Sequence, residues 1–310
     1  MKTEDHRSRQ ILDAVEAALA LVRDYAGTDS STLPAEPLPS LLEQCHRMLD
    51  ETRPAPIRLL HHFACTGGTV IAKCLAALPN ALLLSEIDPL STITYATGQP
   101  IFAPTDLVLN TRSATRDQDE TVLLEIFRGG LDALRAAAGR KGQHLILRDH
   151  NHSHFCMGFD PESRPTLREM MPADVALRSV VTLRHPVDSW LSLSRLGWHG
   201  NMRPATIDEY ARRYLAFLAR HEGCPRLRYE DFLKNPAARL ADLCDWLDLP
   251  WSEDALDLFP MIRMSGDSGR AGGILTPRPR REIPPELRAE IAESPNLHQL
   301  CTVTGYDLAI

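Results

Sequence analysis

The sequence predicts a three-layer α/β fold, a parallel sheet with helices on both faces, preceded by a helical extension. Three observations predict it. Apolar runs of strand length recur along the chain, helical periodicities separate them, and the first run breaks at a glycine turn that opens into a helix. Runs that are apolar throughout, rather than alternating, suit parallel strands buried on both faces. The division expected is a helical extension over residues 1–52 and an α/β domain over 53–310.

The extension rests on two amphipathic patterns. Ile11, Leu12, Val15, Leu19 and Val22 recur at helical spacing and stop at Gly27. Ser40 with Glu43 forms a capping-box pattern ahead of Leu41, Leu42, Cys45, Met48 and Leu49. These helices carry no readable chemistry, and their apolar stripes suit packing on the main domain, on a partner or on a second copy in a homo-oligomer.

The domain proper begins with "IRLLHHF" (57–63), the turn "ACTGGT", and a helix from Thr69 to about Leu78, stopped by Pro79-Asn80. "ALLLSE" (81–86) reads as a second strand, and residues 116–140 carry helical periodicity through Val122, Leu123, Ile126, Phe127, Leu131 and Leu134. Strands return at "HLILRD" (144–149) and "LRSVVTLRH" (177–185). Pro186 suits the first position of a helix, and Thr206 with Glu209 opens another. "RLRYED" (226–231) reads as a strand, and Asn235-Pro236 as the cap and first residue of a helix.

Composition narrows the function. The 34 Lys and Arg against 41 Asp and Glu give a net charge of −7, which disfavours general attraction to nucleic acid or an anionic membrane. The seven cysteines include no C-x-x-C pair, so neither a disulfide framework nor a zinc ribbon is expected. "MKTEDHRSRQ" does not read as a secretory leader and no apolar run is long enough to span a bilayer, so a cytoplasmic location is expected.

The TGGT turn is the first chemical signal. Unpaired amides at a helix start, together with the helix dipole, favour an anion, and glycine lets the backbone come close to it. Thr66 and Thr69 add hydroxyls, so the stretch suits a phosphate. No lysine follows the second glycine as a Walker A motif requires, and Lys73 lies a turn into the helix. The second signal is "TLRHPVDSWLSL", where Arg184 precedes a helix and Ser192 follows eight residues later, an arrangement suited to another phosphate. The competing reading pairs Arg184 with Asp188 and leaves Ser192 an ordinary helix position.

Taken in order, "ACTGGTV", "RHPVDSWLS" and "LRYEDFLKNPAARLADLCDWLDLP" resemble motifs of the sulfotransferase family that uses 3′-phosphoadenosine 5′-phosphosulfate (PAPS). The resemblance covers about residues 57–251. It implies a P-loop-NTPase-like α/β fold, PAPS as cosubstrate, PAP as product, a hydroxyl-bearing acceptor and no catalytic metal. Residue by residue, it implies that Cys65, Thr66, Gly67, Gly68, Thr69 and Val70 surround the 5′-phosphosulfate, Arg184 and Ser192 the 3′-phosphate, and Tyr229 the adenosine. Cys65 stands where the family usually has lysine or arginine. Arg148, aligned with a basic position of cytosolic members, is the candidate to replace that charge. The segment "RMSGDSGRAGGILTPRPRR" resembles a basic lid, from which Arg270 is assigned to the 3′-phosphate, while Arg278, Arg280 and Arg281 also suit a solvated surface.

Transfer to an alcohol needs a base. Glu86 ends the strand after the loop helix, at the offset of a catalytic glutamate in the tyrosylprotein and several bacterial branches; His150 resembles the catalytic histidine of cytosolic branches. Glu86 is favoured for that place at the sheet edge, and burial that raised its pKa would improve it as a base; both residues could take part. His150, His152 and His154 would share one side of an extended segment and could bind zinc, although no partner at fixed spacing supports this. The alternatives are a P-loop nucleotide kinase with a degenerate loop, which needs magnesium and a second acidic ligand, and a catalytically silent PAP-binding scaffold.

Overall fold

In a computed structural model the described residues are 55–91, 93, 107, 108, 111, 120–158, 160–265 and 275–308. The two helices expected within 1–52, and Arg270, lie outside them. Five parallel strands form one sheet in the order β2-β3-β1-β4-β5: β1 (Ile57–His62), β2 (Ala81–Ile87), β3 (His144–Asp149), β4 (Leu177–Leu183) and β5 (Arg226–Arg228). The expected parallel α/β architecture is therefore present.

Alternation along the strands explains the layers. Leu60, Ile146, Val180 and Leu227 face a core built with α1 (Gly68–Ala76), α7 (Tyr229–Lys234) and α8 (Pro236–Leu247). Their neighbours Leu59, Leu147 and Val181 face the other side. There α2 (Glu120–Arg140) and α4 (Leu167–Met170) cover one half of the sheet. The other half is covered by α5 (Pro186–Arg195), α6 (Ile207–Arg220), α10 (Pro285–Glu293) and α11 (Pro295–Thr304). Two short helices complete the order, α3 (Asn151–Phe155) and α9 (Ala255–Leu258). β1, nearly all of β3 and the last four residues of β4 are buried on both faces, which suits their largely apolar runs.

Local signals account for most helix starts. Thr206 accepts a hydrogen bond from the Glu209 amide (3.3 Å), and Asn235 caps α8 by accepting from the Ala238 amide (3.3 Å). Pro186 and Pro236 occupy the first turns of α5 and α8. Gly129-Gly130 sit inside α2 without ending it.

Three expectations need correction. β5 stops at Arg228, and Tyr229 opens α7, because the acidic pair Glu230 and Asp231 falls in a first helical turn where the helix dipole favours it. β4 stops at Leu183, so Arg184 and His185 lie in the turn before α5. Residues 151–155 are helical rather than extended, so His150, His152 and His154 do not share one side.

Candidate active site

The glycine turn sits between β1 and α1. Thr66 closes it by donating its hydroxyl to the Phe63 carbonyl (2.8 Å), so that hydroxyl serves the turn rather than pointing free at a ligand. Gly67 takes a left-handed conformation (φ 85°), and α1 has no side-chain cap and no acidic residue in its first turn. Both glycines are required by neighbouring rings. A Cβ on Gly67 would lie 2.3 Å from the Tyr229 ring, and one on Gly68 would lie 2.4 Å from the His62 ring. The small residues that break the apolar run are therefore packing against two rings, while leaving a helix start exposed to an anion.

Arg184, from the end of β4, reaches the same place. Its Nη1 donates to the Cys65 carbonyl (3.0 Å) and to Ser192 Oγ (3.2 Å), and its guanidinium lies 5.6 Å from the centroid of the Tyr229 ring. Asp188 pairs instead with Arg280 (3.0 Å), which sets aside the Arg184–Asp188 reading. Cys65 itself has a left-handed backbone (φ 62°). Burial pushes its thiol up to about 11 against the pull of Arg184, Arg281 and Arg195, so it is a neutral thiol near pH 7 and a poor nucleophile.

Glu86 also has a left-handed backbone (φ 59°), at a bulge where the β2–β3 register shifts between Leu84 and Ile87. Bulges re-aim side chains, and this one accompanies Glu86 facing the site. Its Oε1 lies 3.7 Å from Arg148 Nη1. Arg148, only 3% exposed, donates to Ser85 Oγ (2.6 Å), Thr69 Oγ1 (2.9 Å) and His62 Nε2 (3.0 Å). A buried guanidinium thus stands against the glycine turn, near the charge that Cys65 lacks.

One cavity of about 900 Å³ collects these groups. It is lined by Cys65–Val70, Glu86, Arg148, His150, Arg184, Ser192 and Tyr229, so every described site residue expected from the sequence faces it. Seven Lys and Arg line it against the three acids Glu86, Asp188 and Glu230, a local positive field on a chain of net charge −7. All three acids are engaged: Glu86 by Arg148 (3.7 Å), Asp188 by Arg280, and Glu230 by the His185 amide (2.9 Å) and the Tyr306 hydroxyl (2.7 Å). Arg278, Arg280 and Arg281 belong to this lining. Burial and the charges of Arg195, Arg184 and Arg278 hold Arg281 below its ordinary value, as expected for cations gathered to meet an anion.

The histidines divide. His150 and His152 line the cavity, with His152 packed edge-on to Trp198 at 4.9 Å, whereas His154 turns away to the Pro161 carbonyl (2.8 Å). That separation removes the zinc reading of the three. Sequence reasoning missed His62 and Arg195 in the lining; the signal for His62 was available, as the second of two histidines at the end of a strand that leads into the glycine turn. No helix among the described residues is long and apolar enough to cross a membrane.

Comparison with known proteins agrees with the motifs. Residues 161–253 match the sulfotransferase family, a stretch that includes Arg184, Ser192 and Tyr229 but not the glycine turn, Glu86 or Arg148. The matched stretch contains the second and third of the three motifs and not the first. No curated protein matches the chain. Among solved structures, the sulfotransferase domain from the curacin biosynthetic pathway is 17% identical, covering 83% of this chain and 100% of that one, with a TM-score of 0.49. The sulfotransferase domain of the Synechococcus PCC 7002 olefin synthase is 17% identical over 84% of this chain and 98% of that one, with a TM-score of 0.49. A sulfotransferase from Mycobacterium avium is 14% identical over 86% and 81%, with a TM-score of 0.43.

Proposed function

We propose that this chain, whose residues 161–253 match the sulfotransferase family, moves a sulfuryl group from PAPS to a hydroxyl acceptor and releases PAP. One observation carries the reading: two anion-holding elements distant in sequence, the glycine turn and the Arg184–Ser192 pair, meet across one cavity through the 3.0 Å contact of Arg184 with the Cys65 carbonyl. A nucleotide with phosphates at both ends of its ribose suits two such elements; a simple nucleoside triphosphate needs only one.

In this reading the start of α1 and Thr69 hold the 5′ end, Arg184 and Ser192 hold the 3′-phosphate, and Tyr229 borders the adenosine. As the acceptor oxygen attacks sulfur, its proton passes to a base, the new O–S bond forms, and the bond from sulfur to the bridging phosphate oxygen breaks. The electron pair leaves with PAP. Arg148, preorganised by three side chains, meets the negative charge that grows on the leaving phosphate. Glu86 is the favoured base and His150 the second candidate; both face the cavity. The kinase reading fares worse, because Asp149, the acid that ends β3, is taken up by two histidines rather than presented for magnesium.

Titration calorimetry with PAP and with ATP, each with and without magnesium, tests the assignment. Metal-independent PAP binding with no ATP binding is expected. ATP binding that requires magnesium would replace this reading with the kinase. Incubation with radiolabelled PAPS and an extract of candidate acceptors then separates an enzyme from a silent PAP-binding scaffold.

A further inference from the structure

β1 ends in two consecutive histidines whose side chains take opposite faces of the sheet, and the neighbouring β3 ends in Arg148 and Asp149. All four are buried: His61 at 0%, His62 at 8%, Arg148 at 3% and Asp149 at 2%. Asp149 is held by a hydrogen bond from His61 Nδ1, and its second oxygen lies 3.5 Å from His62 Nδ1. Burial alone would raise the Asp149 carboxyl, but the hydrogen bond from His61 and the nearby His62 ring outweigh it and leave the group well below the usual carboxylate range. It is therefore a fixed negative charge.

The other nitrogen of His62 decides the geometry. Arg148 Nη2 lies 3.0 Å from His62 Nε2, and a guanidinium has only donors, so Nε2 presents its lone pair and the ring proton sits on Nδ1, toward Asp149. Burial, then the Arg148 charge, lowers His62 to about 4, which keeps the ring neutral in this arrangement. The ring cannot back away, because it packs against the bare Cα of Gly68.

We infer that His62 is a positioning residue: its ring, held against Gly68 with Nδ1 facing the buried Asp149 carboxylate, presents an Nε2 lone pair that aims the Arg148 guanidinium at Thr69 and so at the 5′ end of the nucleotide. The inference rests on the reading of the cavity proposed above. It explains why a neutral acceptor stands at this nitrogen: with the Glu86 carboxylate already 3.7 Å from the guanidinium, a second carboxylate would cancel its charge, whereas imidazole orients it and adds no negative charge.

The experiment combines a spectrum with binding. In the wild-type protein at neutral pH, nitrogen NMR of labelled imidazoles is expected to show His62 with its proton on Nδ1; a proton on Nε2 overturns the inference. Calorimetry then uses PAP and adenosine 3′-phosphate, which lacks the 5′ group. His62→Phe, which keeps a ring and removes the acceptor, is expected to weaken PAP about tenfold, or about 1.4 kcal/mol, and to leave adenosine 3′-phosphate unchanged. Made in an Arg148→Ala background, it is expected to add nothing further. A folded His62→Phe with wild-type PAP affinity, or with equal loss for both nucleotides, overturns the inference alone. A wild-type protein that binds no PAP overturns the cavity reading with it, and a His62→Phe that fails to fold leaves the tautomer to decide.

Discussion

The two ends of the cavity supply positive charge in different ways. At the glycine turn a single guanidinium, Arg148, is 3% exposed and held by Ser85, Thr69 and His62. At the Arg184 end the charge is spread over several side chains, and Arg195, Arg278, Arg280 and Arg281 are exposed. The contrast fits the chemistry proposed for each end. Where bonds break, a cation must already be in place, since reorganising it would cost rate; where a phosphate is only gripped, exposed and partly screened arginines suffice.

That contrast can be broken by substitution. Arg148→Ala is expected to lower turnover with labelled PAPS by about 10²–10³-fold, the loss typical of a preorganised donor on a developing oxyanion. A smaller loss than for any arginine at the other end would reverse the comparison.

Acid should test the burial of His62 as well. His62 is lowered to about 4 and His221 to about 3, mainly by burial. Above pH 6.5 neither folded nor unfolded forms are protonated there, so no penalty exists. As pH falls from about 6.5 toward 4, the unfolded chain takes up protons that the folded one refuses. Stability should then drop with a slope of at most about 1.4 kcal/mol per pH unit for each of these histidines. Thermal melts across this range are expected to show the fall, with a shallower slope in His62→Phe; an equal slope would remove His62 as a neutral buried group.

At the other end, Arg184→Ala should weaken PAP by about 10–100-fold, as expected for loss of a charged hydrogen bond of about 1.5–3 kcal/mol. Arg281→Ala, on the exposed side, should cost less than about tenfold, and its effect should shrink as salt is raised. Calorimetry of both variants at two ionic strengths checks the pair; an Arg281 effect that ignores salt would place that residue among the buried contacts.

Much of this site was legible in the chain. The strands that carry it are rich in apolar residues because both their faces are largely covered, and the glycine turn and the Arg-to-Ser spacing are local patterns that survive without knowledge of the fold. The errors came where a local pattern was ambiguous. Tyr229 reads as strand in the sequence although β5 is only three residues long, and the grouping of His150, His152 and His154 on one side holds only for an extended segment, whereas 151–155 is helical. His62 passed unnoticed because its partners, Arg148 and Asp149, lie 86 residues or more away in sequence.

By itself, then, the sequence determined the order of strands and helices, the break that exposes a helix start, and the types of residue able to hold phosphate, all of which depend on neighbours within a few turns of chain. Which side chains meet was decided by the packing of parallel strands, since a sheet in the order β2-β3-β1-β4-β5 sets side by side residues that the chain keeps far apart. The orientation of Arg148, the neutrality of His62 and the contact of Arg184 with the glycine turn all follow from that adjacency and from the removal of water around it. Burial is a property of the assembled layers, and no local pattern of residues contains it.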